Sequence, residues 1–216
     1  MSGPLDGKRV LVTAGGTREP LDAVRYIGNR SSGRMGVALA AEARRRGAEV
    51  TLIASNLAVS APEDVEVVEA PTAADVERET SARADADVVI MAAAVSDYRP
   101  AETEASKRPK DESTWLIELE PTTDVLKHLG EHRTNGQVLI GFAAETGEGG
   151  LERARRKLAA KQVDLIVYND VSREDVGFDA EENEVVIVSG GGERRVDRAP
   201  KSEIAAAILD EVERLT

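Results

Sequence analysis

The chain has 216 residues, 41% of them hydrophobic, a formal net charge of −12 and no cysteine. That length suits one α/β domain with a core able to stand alone, and the absence of any apolar run of about 18 residues gives no membrane span or secretory segment, pointing to the cytoplasm. The charge argues against nucleic-acid binding, and the missing cysteines remove disulfides, thiolate metal sites and thiol nucleophiles.

Residues 1–7 read as a linker and 8–216 as a single domain. Runs rich in Val, Ile and Leu predict buried strands at 8–14, 49–54, 65–69, 87–93, 137–143 and 163–168. Between them, helical patterns predict 33–46 closed by Gly47, 72–83 with a Thr72/Asp75 cap, 122–132 and 150–161. A hairpin of 184–189 and 193–196 around Gly190, Gly191 and Gly192 precedes a last helix at 201–215. The exception is 98–113, a polar stretch broken by Pro100 and Pro109 and followed by a strand-like run at 114–120. It reads as a flap, since a loop of that length is either functional or disordered.

The alternation of strand and helix predicts a Rossmann-like fold, with a mostly parallel sheet, helices on both faces and a C-terminal hairpin. Its ligand crevice belongs at the carboxyl ends of the strands. There the first strand ends in Gly15-Gly16-Thr17, and Asn29, Ser31, Ser32 and Gly33 open the next long helix. Both clusters can present backbone N–H groups to an anion, or can be a tight turn and an ordinary serine N-cap. Lys157 and Lys161 lie four apart on one helix face and fit either a phosphate clamp or a solvated surface. Lys107 in the flap has the same two readings. Asp97, just past a strand, is either a binding residue or a turn cap.

Rival chemistries are weak. The first turn lacks G-x-G-x-x-G, the second strand ends in Ile53-Ala54-Ser55-Asn56 without a ribose-binding acid, and no tyrosine has a lysine four residues on. His128-Leu129-Gly130-Glu131-His132 matches a zinc pattern, but Gly130 weakens the helix that must align the ligands and no third histidine exists.

Taken together, Gly15-Gly16-Thr17-Arg18-Glu19-Pro20-Leu21-Asp22, Asn29-Arg30-Ser31-Ser32-Gly33-Arg34-Met35-Gly36, Ala92-Ala93-Ala94-Val95-Ser96-Asp97-Tyr98-Arg99, Gly141-Phe142-Ala143-Ala144-Glu145-Thr146 and Asp164-Leu165-Ile166-Val167-Tyr168-Asn169-Asp170 resemble the phosphopantothenoylcysteine synthetases in the family's order. The resemblance implies a ligase joining phosphopantothenate to cysteine through an acyl-cytidylate. It implies CTP rather than ATP, Mg²⁺ carried mainly on the nucleotide phosphates, no FMN on this chain, and a homodimer whose neighbouring subunit completes the site. Bacterial members are often fused behind a flavin-dependent decarboxylase.

By the same resemblance, Asn29 helps the acyl-nucleotide go forward. Met91, Ala92, Ala93, Asp97, Thr123, Asp124, Val125, Leu126 and Phe142 hold the nucleotide, Lys107, Lys157 and Lys161 its phosphates, and Gly15, Gly16, Thr17, Asn29, Ser31, Ser32 and Gly33 the phosphopantothenate. Two departures stand out: the family's Lys-x-Lys-Lys reads Lys107-Arg108-Pro109-Lys110, and its Asn-Pro-Asp-Ile-Val-like segment reads Thr122-Thr123-Asp124-Val125-Leu126. The alternatives are a nicotinamide-dependent oxidoreductase and a nucleotide-binding module without turnover.

Overall fold

A computed structural model of the chain describes residues 3–170 and 180–216. In chain order the first half holds β1 (Arg9–Gly15), β2 (Arg18–Pro20), β3 (Tyr26–Gly28), α1 (Arg34–Arg45), β4 (Glu49–Ser55), β5 (Glu66–Glu69), α2 (Ala73–Ser81) and β6 (Val88–Met91). The second half holds β7 (Tyr98–Pro100), β8 (Leu119–Pro121), α3 (Val125–Glu131), β9 (Val138–Glu145), α4 (Gly150–Ala160), β10 (Leu165–Asp170), β11 (Glu182–Ser189), β12 (Gly192–Pro200) and α5 (Lys201–Glu213). None of the described helices is long and apolar enough to cross a membrane.

Eight strands form one sheet in the order β12-β11-β10-β9-β6-β1-β4-β5. From β10 to β5 the pairing is parallel, and β11 and β12 add an antiparallel edge, the expected hairpin. Alternate strand residues point to opposite faces, which divides the core in two. Val10, Val12, Leu52 and Ile90 pack with Leu39 of α1 and Ile204 and Ile208 of α5. Leu11, Ile53, Val89 and Leu139 pack on the other face with Val76 of α2, Val125 and Leu129 of α3, and Ala154 of α4. Helices therefore cover both faces, as the alternating pattern requires.

Local signals account for the helix ends. Thr72 and Asp75 form the expected capping box, an arrangement that stabilises a helix by about 1 kcal/mol. At α3 the expected start at Thr122 is corrected to Val125, because the Asp124 carboxylate accepts from the Lys127 N–H at 3.1 Å and caps the helix there. The expected linker at 1–7 is also corrected over its described part. Leu5 is fully buried under the first core cluster and its N–H bonds to the Arg46 carbonyl; residues 1 and 2 lie outside the described residues.

Two antiparallel hairpins, β2–β3 and β7–β8, escape the sequence pattern. The flap starts as strand β7, and the strand expected over 114–120 shrinks to β8 because Trp115 is drawn elsewhere. The Arg25 and Arg108 guanidiniums lie 5.5 and 5.1 Å from the Trp115 ring centre. Between them sits Asp22, whose carboxylate accepts the N–H groups of Val24 (2.7 Å), Arg25 (2.8 Å) and Arg108 (3.2 Å) and the Arg25 guanidinium (2.7 Å). Further bonds from the Glu104 N–H to the Leu21 carbonyl and from the Thr103 hydroxyl to the Pro20 carbonyl hold the flap on the β2–β3 hairpin.

Burial pushes the Asp22 carboxyl up, but these N–H donors and the Arg25 charge outweigh it, so the group titrates below the usual carboxylate range. A depressed carboxyl holds its contacts above its ordinary pKa and loses them as pH falls through the depressed value. Trp115 is the single tryptophan, so its emission should report the latch. Emission should stay constant from about pH 8 to about pH 5 and change only below about pH 4. Asp22→Ala should show the released spectrum at neutral pH, and a wild-type spectrum in that variant would refute the latch.

At the far end of α1, Arg46 is buried and its guanidinium donates to Glu42, Asp210, Glu213 and the Ala206 carbonyl, tying α1 to α5. Removing one partner of a buried ion pair leaves the others uncompensated. Arg46→Ala should lower unfolding stability by about 2–4 kcal/mol, the lower end being set by the partly exposed Asp210 and Glu213, with an unchanged urea m-value.

Candidate functional site

The strand order reverses between β1 and β6, and the loops that leave these strands diverge, opening a crevice at their carboxyl ends. The crevice measures about 250 Å³. Its floor is the segment from Met91 to Asp97 after β6, with Phe142 and Ala144 of β9 and Asn169 of β10. One wall is the start of α1 with Ser31, Gly33 and Met35; the other is Thr122 to Leu126 leading into α3, with Lys157 and Lys161 from the end of α4.

Each wall suits an anion. Gly33 caps α1 in the left-handed region (φ 83°) and no side chain caps that end, so the first-turn N–H groups remain for a ligand. The ordinary serine N-cap is thereby excluded at α1. A Cβ on Gly33 would fall 2.3 Å from the Leu57 side chain, so glycine is required for space as well as conformation. On the other wall, Lys157 Nζ lies 2.8 Å from Glu145 and Lys161 Nζ 3.2 Å from Asp124. Burial raises the Glu145 carboxyl, but its bonds to Lys157 and Arg153 outweigh that and keep it ionised below the ordinary range. These carboxylates hold both ammonium groups at the crevice, within reach of a competing phosphate.

Thirteen of the residues expected at the site come together as its lining: Met91, Ala92, Ala93, Asp97, Thr123, Asp124, Val125, Leu126, Phe142, Lys157, Lys161, Ser31 and Gly33. Gly15, Gly16, Thr17 and Asn29 lie outside it and are tied to its floor. The Gly16 N–H donates to Ser55, Gly16 bridges Ala94, and the Asn29 amide donates to the Ala94 carbonyl at 2.9 Å. Ser32 is buried outside the lining. Lys107 is exposed on the flap, away from the crevice of its own chain, because its neighbour Arg108 is fastened to Asp22 and Trp115.

The sequence reading missed Arg34, Ser96, Asn169, Asn183 and Lys201, all on the lining. Asn169 was findable, as a polar residue at the carboxyl end of a parallel strand. Lys201, buried with its ammonium on the Ala180 carbonyl, carries no local mark. The two histidines stack at 4.3 Å on the outer end of α3. Among the described residues, no three His, Cys, Asp or Glu side chains group as metal ligands.

A family model described as the DNA/pantothenate metabolism flavoprotein C-terminal domain matches residues 5–215. The coenzyme A biosynthesis bifunctional protein CoaBC of Bacillus subtilis is 42% identical over 219 residues, 100% of this chain and 53% of that protein. A protein of unknown prokaryotic origin, named cysteine/cysteine sulfinic acid decarboxylase, is 37% identical over 97% of this chain and 59% of its own length. The chain thus spans 53% and 59% of these two relatives. A crystal structure of the C-terminal domain of a CoaBC protein matches with a TM-score of 0.84 and 39% identity, covering 99% of this chain and 98% of that one. The chain therefore belongs to the family of DNA/pantothenate metabolism flavoprotein C-terminal domains.

Proposed function

We propose that the chain ligates phosphopantothenate to cysteine at the expense of CTP, through an acyl-cytidylate. The observation that carries this reading is a crevice with an anion-holding wall on each side: the uncapped α1 end for one substrate, and Lys157 with Lys161 for a nucleotide. Family membership supports a place in coenzyme A biosynthesis, since a relative of that name covers this whole chain, and the two substrates rest on the motif resemblance. The preference for CTP over ATP rests on the motif resemblance.

The chemistry suits a protein without a thiol or a histidine triad. A carboxylate is a poor acyl donor because its leaving group is oxide, so activation comes first. A carboxylate oxygen bonds to the α-phosphorus and the bond to pyrophosphate breaks. The cysteine nitrogen then bonds to the acyl carbon, the bond to the cytidylate oxygen breaks, CMP leaves, and the ammonium proton passes to solvent. Positioning and charge supply the rate at both steps. Lys157 and Lys161 face the leaving pyrophosphate, and the Asn29 amide sits beside the floor where the acyl carbon would rest. Asp97 and Asp124 are hard oxygen donors on the lining and fit a Mg²⁺ ion arriving with the nucleotide, which would neutralise polyphosphate charge.

The homodimer belongs to the same reading. Val24 (62% exposed), Tyr26 (52%), Tyr98 (57%) and Leu116 (86%) are exposed apolar side chains on the two hairpins and the flap, the kind of residue a second copy of the chain would cover. In that pairing Lys107, turned from its own crevice, would serve the partner's. A flavin-dependent decarboxylase acting on the product fits as a further partner, fused or separate; the flavin belongs to it and not to this crevice.

Purified chain should release pyrophosphate from CTP only with phosphopantothenate and Mg²⁺, and form the amide only when cysteine is added. Nucleotide binding without turnover in the presence of both substrates would favour the non-catalytic module, and NADPH oxidation the oxidoreductase. Lys107→Gln and Lys157→Gln should each slow pyrophosphate release on the order of 100-fold or more. Mixing the two variants tests the dimer. If the flap serves the neighbouring crevice, each hybrid regains one intact site and activity returns to roughly a quarter of wild type. A mixture no more active than its components would place the flap in its own subunit.

A further inference from the structure

Thr17 sits among the residues that resemblance assigns to phosphopantothenate, yet it is fully buried and its hydroxyl is turned to Ser96. Its Oγ1 accepts the Ser96 N–H at 2.9 Å and donates to the Ser96 Oγ at 2.9 Å. With the Thr17 proton on Ser96 Oγ, the Ser96 hydroxyl keeps its own proton for another oxygen. Ser96 is held from a second side, where Thr122 Oγ1 donates to its carbonyl at 2.6 Å.

The bonds continue where the sheet ends. The β1–β6 ladder stops at Thr13 and Met91. Beyond it, the Ala93 N–H reaches Thr13 Oγ1 (3.0 Å), the Ala94 N–H reaches the Gly15 carbonyl (2.8 Å), and the Ala94 carbonyl receives both the Thr17 N–H (3.1 Å) and the Asn29 amide (2.9 Å). The floor of the crevice is therefore sewn to β1, and the Thr17–Ser96 hydroxyl pair is its last stitch.

Ser96 is the member of the pair that meets the crevice. It is nearly buried, lines the cleft, and its Oγ receives the Thr17 proton. In that direction of the bond its own hydroxyl proton is left for an oxygen of a ligand. Resting on the ligase reading, we propose that Ser96 donates a hydrogen bond to an oxygen of the activated acyl group and that Thr17 is the positioning residue that orients this donor and holds the Asn29 floor beneath it. The donor strengthens as the acyl oxygen gains charge during cysteine attack; no bond to Ser96 forms or breaks, and the cytidylate oxygen still takes the electron pair of the broken bond.

The two residues act through one hydroxyl, which a double-mutant cycle can read. Thr17→Val removes the acceptor and donor at constant shape, Ser96→Ala removes the donor to the ligand, and Thr17→Ser keeps the hydroxyl. Amide formation and the first-step release of pyrophosphate should be followed separately by rapid quench. The expected result is a fall in the rate of cysteine transfer of about 10-fold to 100-fold in Thr17→Val, in Ser96→Ala and in the double variant alike. The KM for CTP should be unchanged, and Thr17→Ser should recover most of the rate. A merely structural threonine would lower thermal stability without this split between steps and without non-additivity.

The proposal is overturned if Thr17→Val or Ser96→Ala transfers at the wild-type rate, if the two effects multiply in the double variant, or if Thr17→Ser stays as slow as Thr17→Val. Should Thr17→Val fail to fold, Ser96→Ala, which keeps the N–H bond to Thr17, still decides the matter. Wild-type protein that releases no pyrophosphate with both substrates would instead overturn the ligase reading itself.

Discussion

β1 and β6 run side by side in register, Val10 beside Val88 and Thr13 beside Met91, but the chain leaves them in opposite directions. From β1 it passes through α1 on one face of the sheet to β4; from β6 it passes through α3 on the other face to β9. Among the described residues, neither of these two connections crosses the gap at the carboxyl ends. Everything at the site depends on that divergence, because it leaves two helix starts on opposite walls with a floor of extended backbone between. A floor made only of backbone would be free to sag. The hydroxyls of Thr13, Thr17 and Thr122, with the Asn29 amide, replace the missing strand ladder and keep it in place.

The same arrangement reconciles an acidic protein with an anionic ligand. At a net charge of −12, the long-range field repels a nucleotide, and screening over about 8 Å leaves only near charges to attract it. Most arginines are spent in surface pairs such as Arg9–Asp85 and Arg78–Asp75, which contribute little to stability. At the crevice the pairs have another consequence. Glu145 and Asp124 hold Lys157 and Lys161 at the wall before any ligand arrives. A polyphosphate that displaces one of these carboxylates gains a cation already ordered, and the separated carboxylate stays in the solvated rim or meets an incoming cation.

How much of this was legible in sequence varies with the range of the interaction. The strand at β1 and the helix α2 were legible because their signals are local: a run of buried apolar residues, and a threonine with an aspartate three residues on. The start of α3 was misplaced by three residues because Thr122 and Asp124 are equally good caps, and only the fold decides which one meets the helix. β2, β3 and β7 were missed, and β8 was drawn too long, because three-residue strands carry no alternation and the hairpins are held by Asp22 meeting a residue 86 positions away. The wall of the crevice from Thr122 to Leu126 with Lys157 and Lys161 was legible through motif blocks. Thr17 was assigned to the wrong side of the floor, since a block of matching residues shows that a site is near without showing which side chains face it. Asn169 and Lys201 were missed for the converse reason: their burial against the crevice is a property of the packed sheet, not of their neighbours in sequence.

The position of Asn29 bears on how substitutions there should be read. Its amide nitrogen is bound to the Ala94 carbonyl, which already receives the Thr17 N–H. One N–H and the amide oxygen therefore remain for chemistry. An aspartate in its place loses the donor to Ala94 and sets a carboxylate oxygen against a carbonyl oxygen, so the floor itself is repelled. The floor would still be held by Thr17 and Ser96, on the far side of Ala94. Asn29 and Thr17 are thus two holds on the same backbone carbonyl, and a defect at either is transmitted to the reacting centre through the placement of Ala94. On the proposed reading, a purely electrostatic account of Asn29 would attribute to the reacting atoms an effect that begins at its hydrogen bond to Ala94.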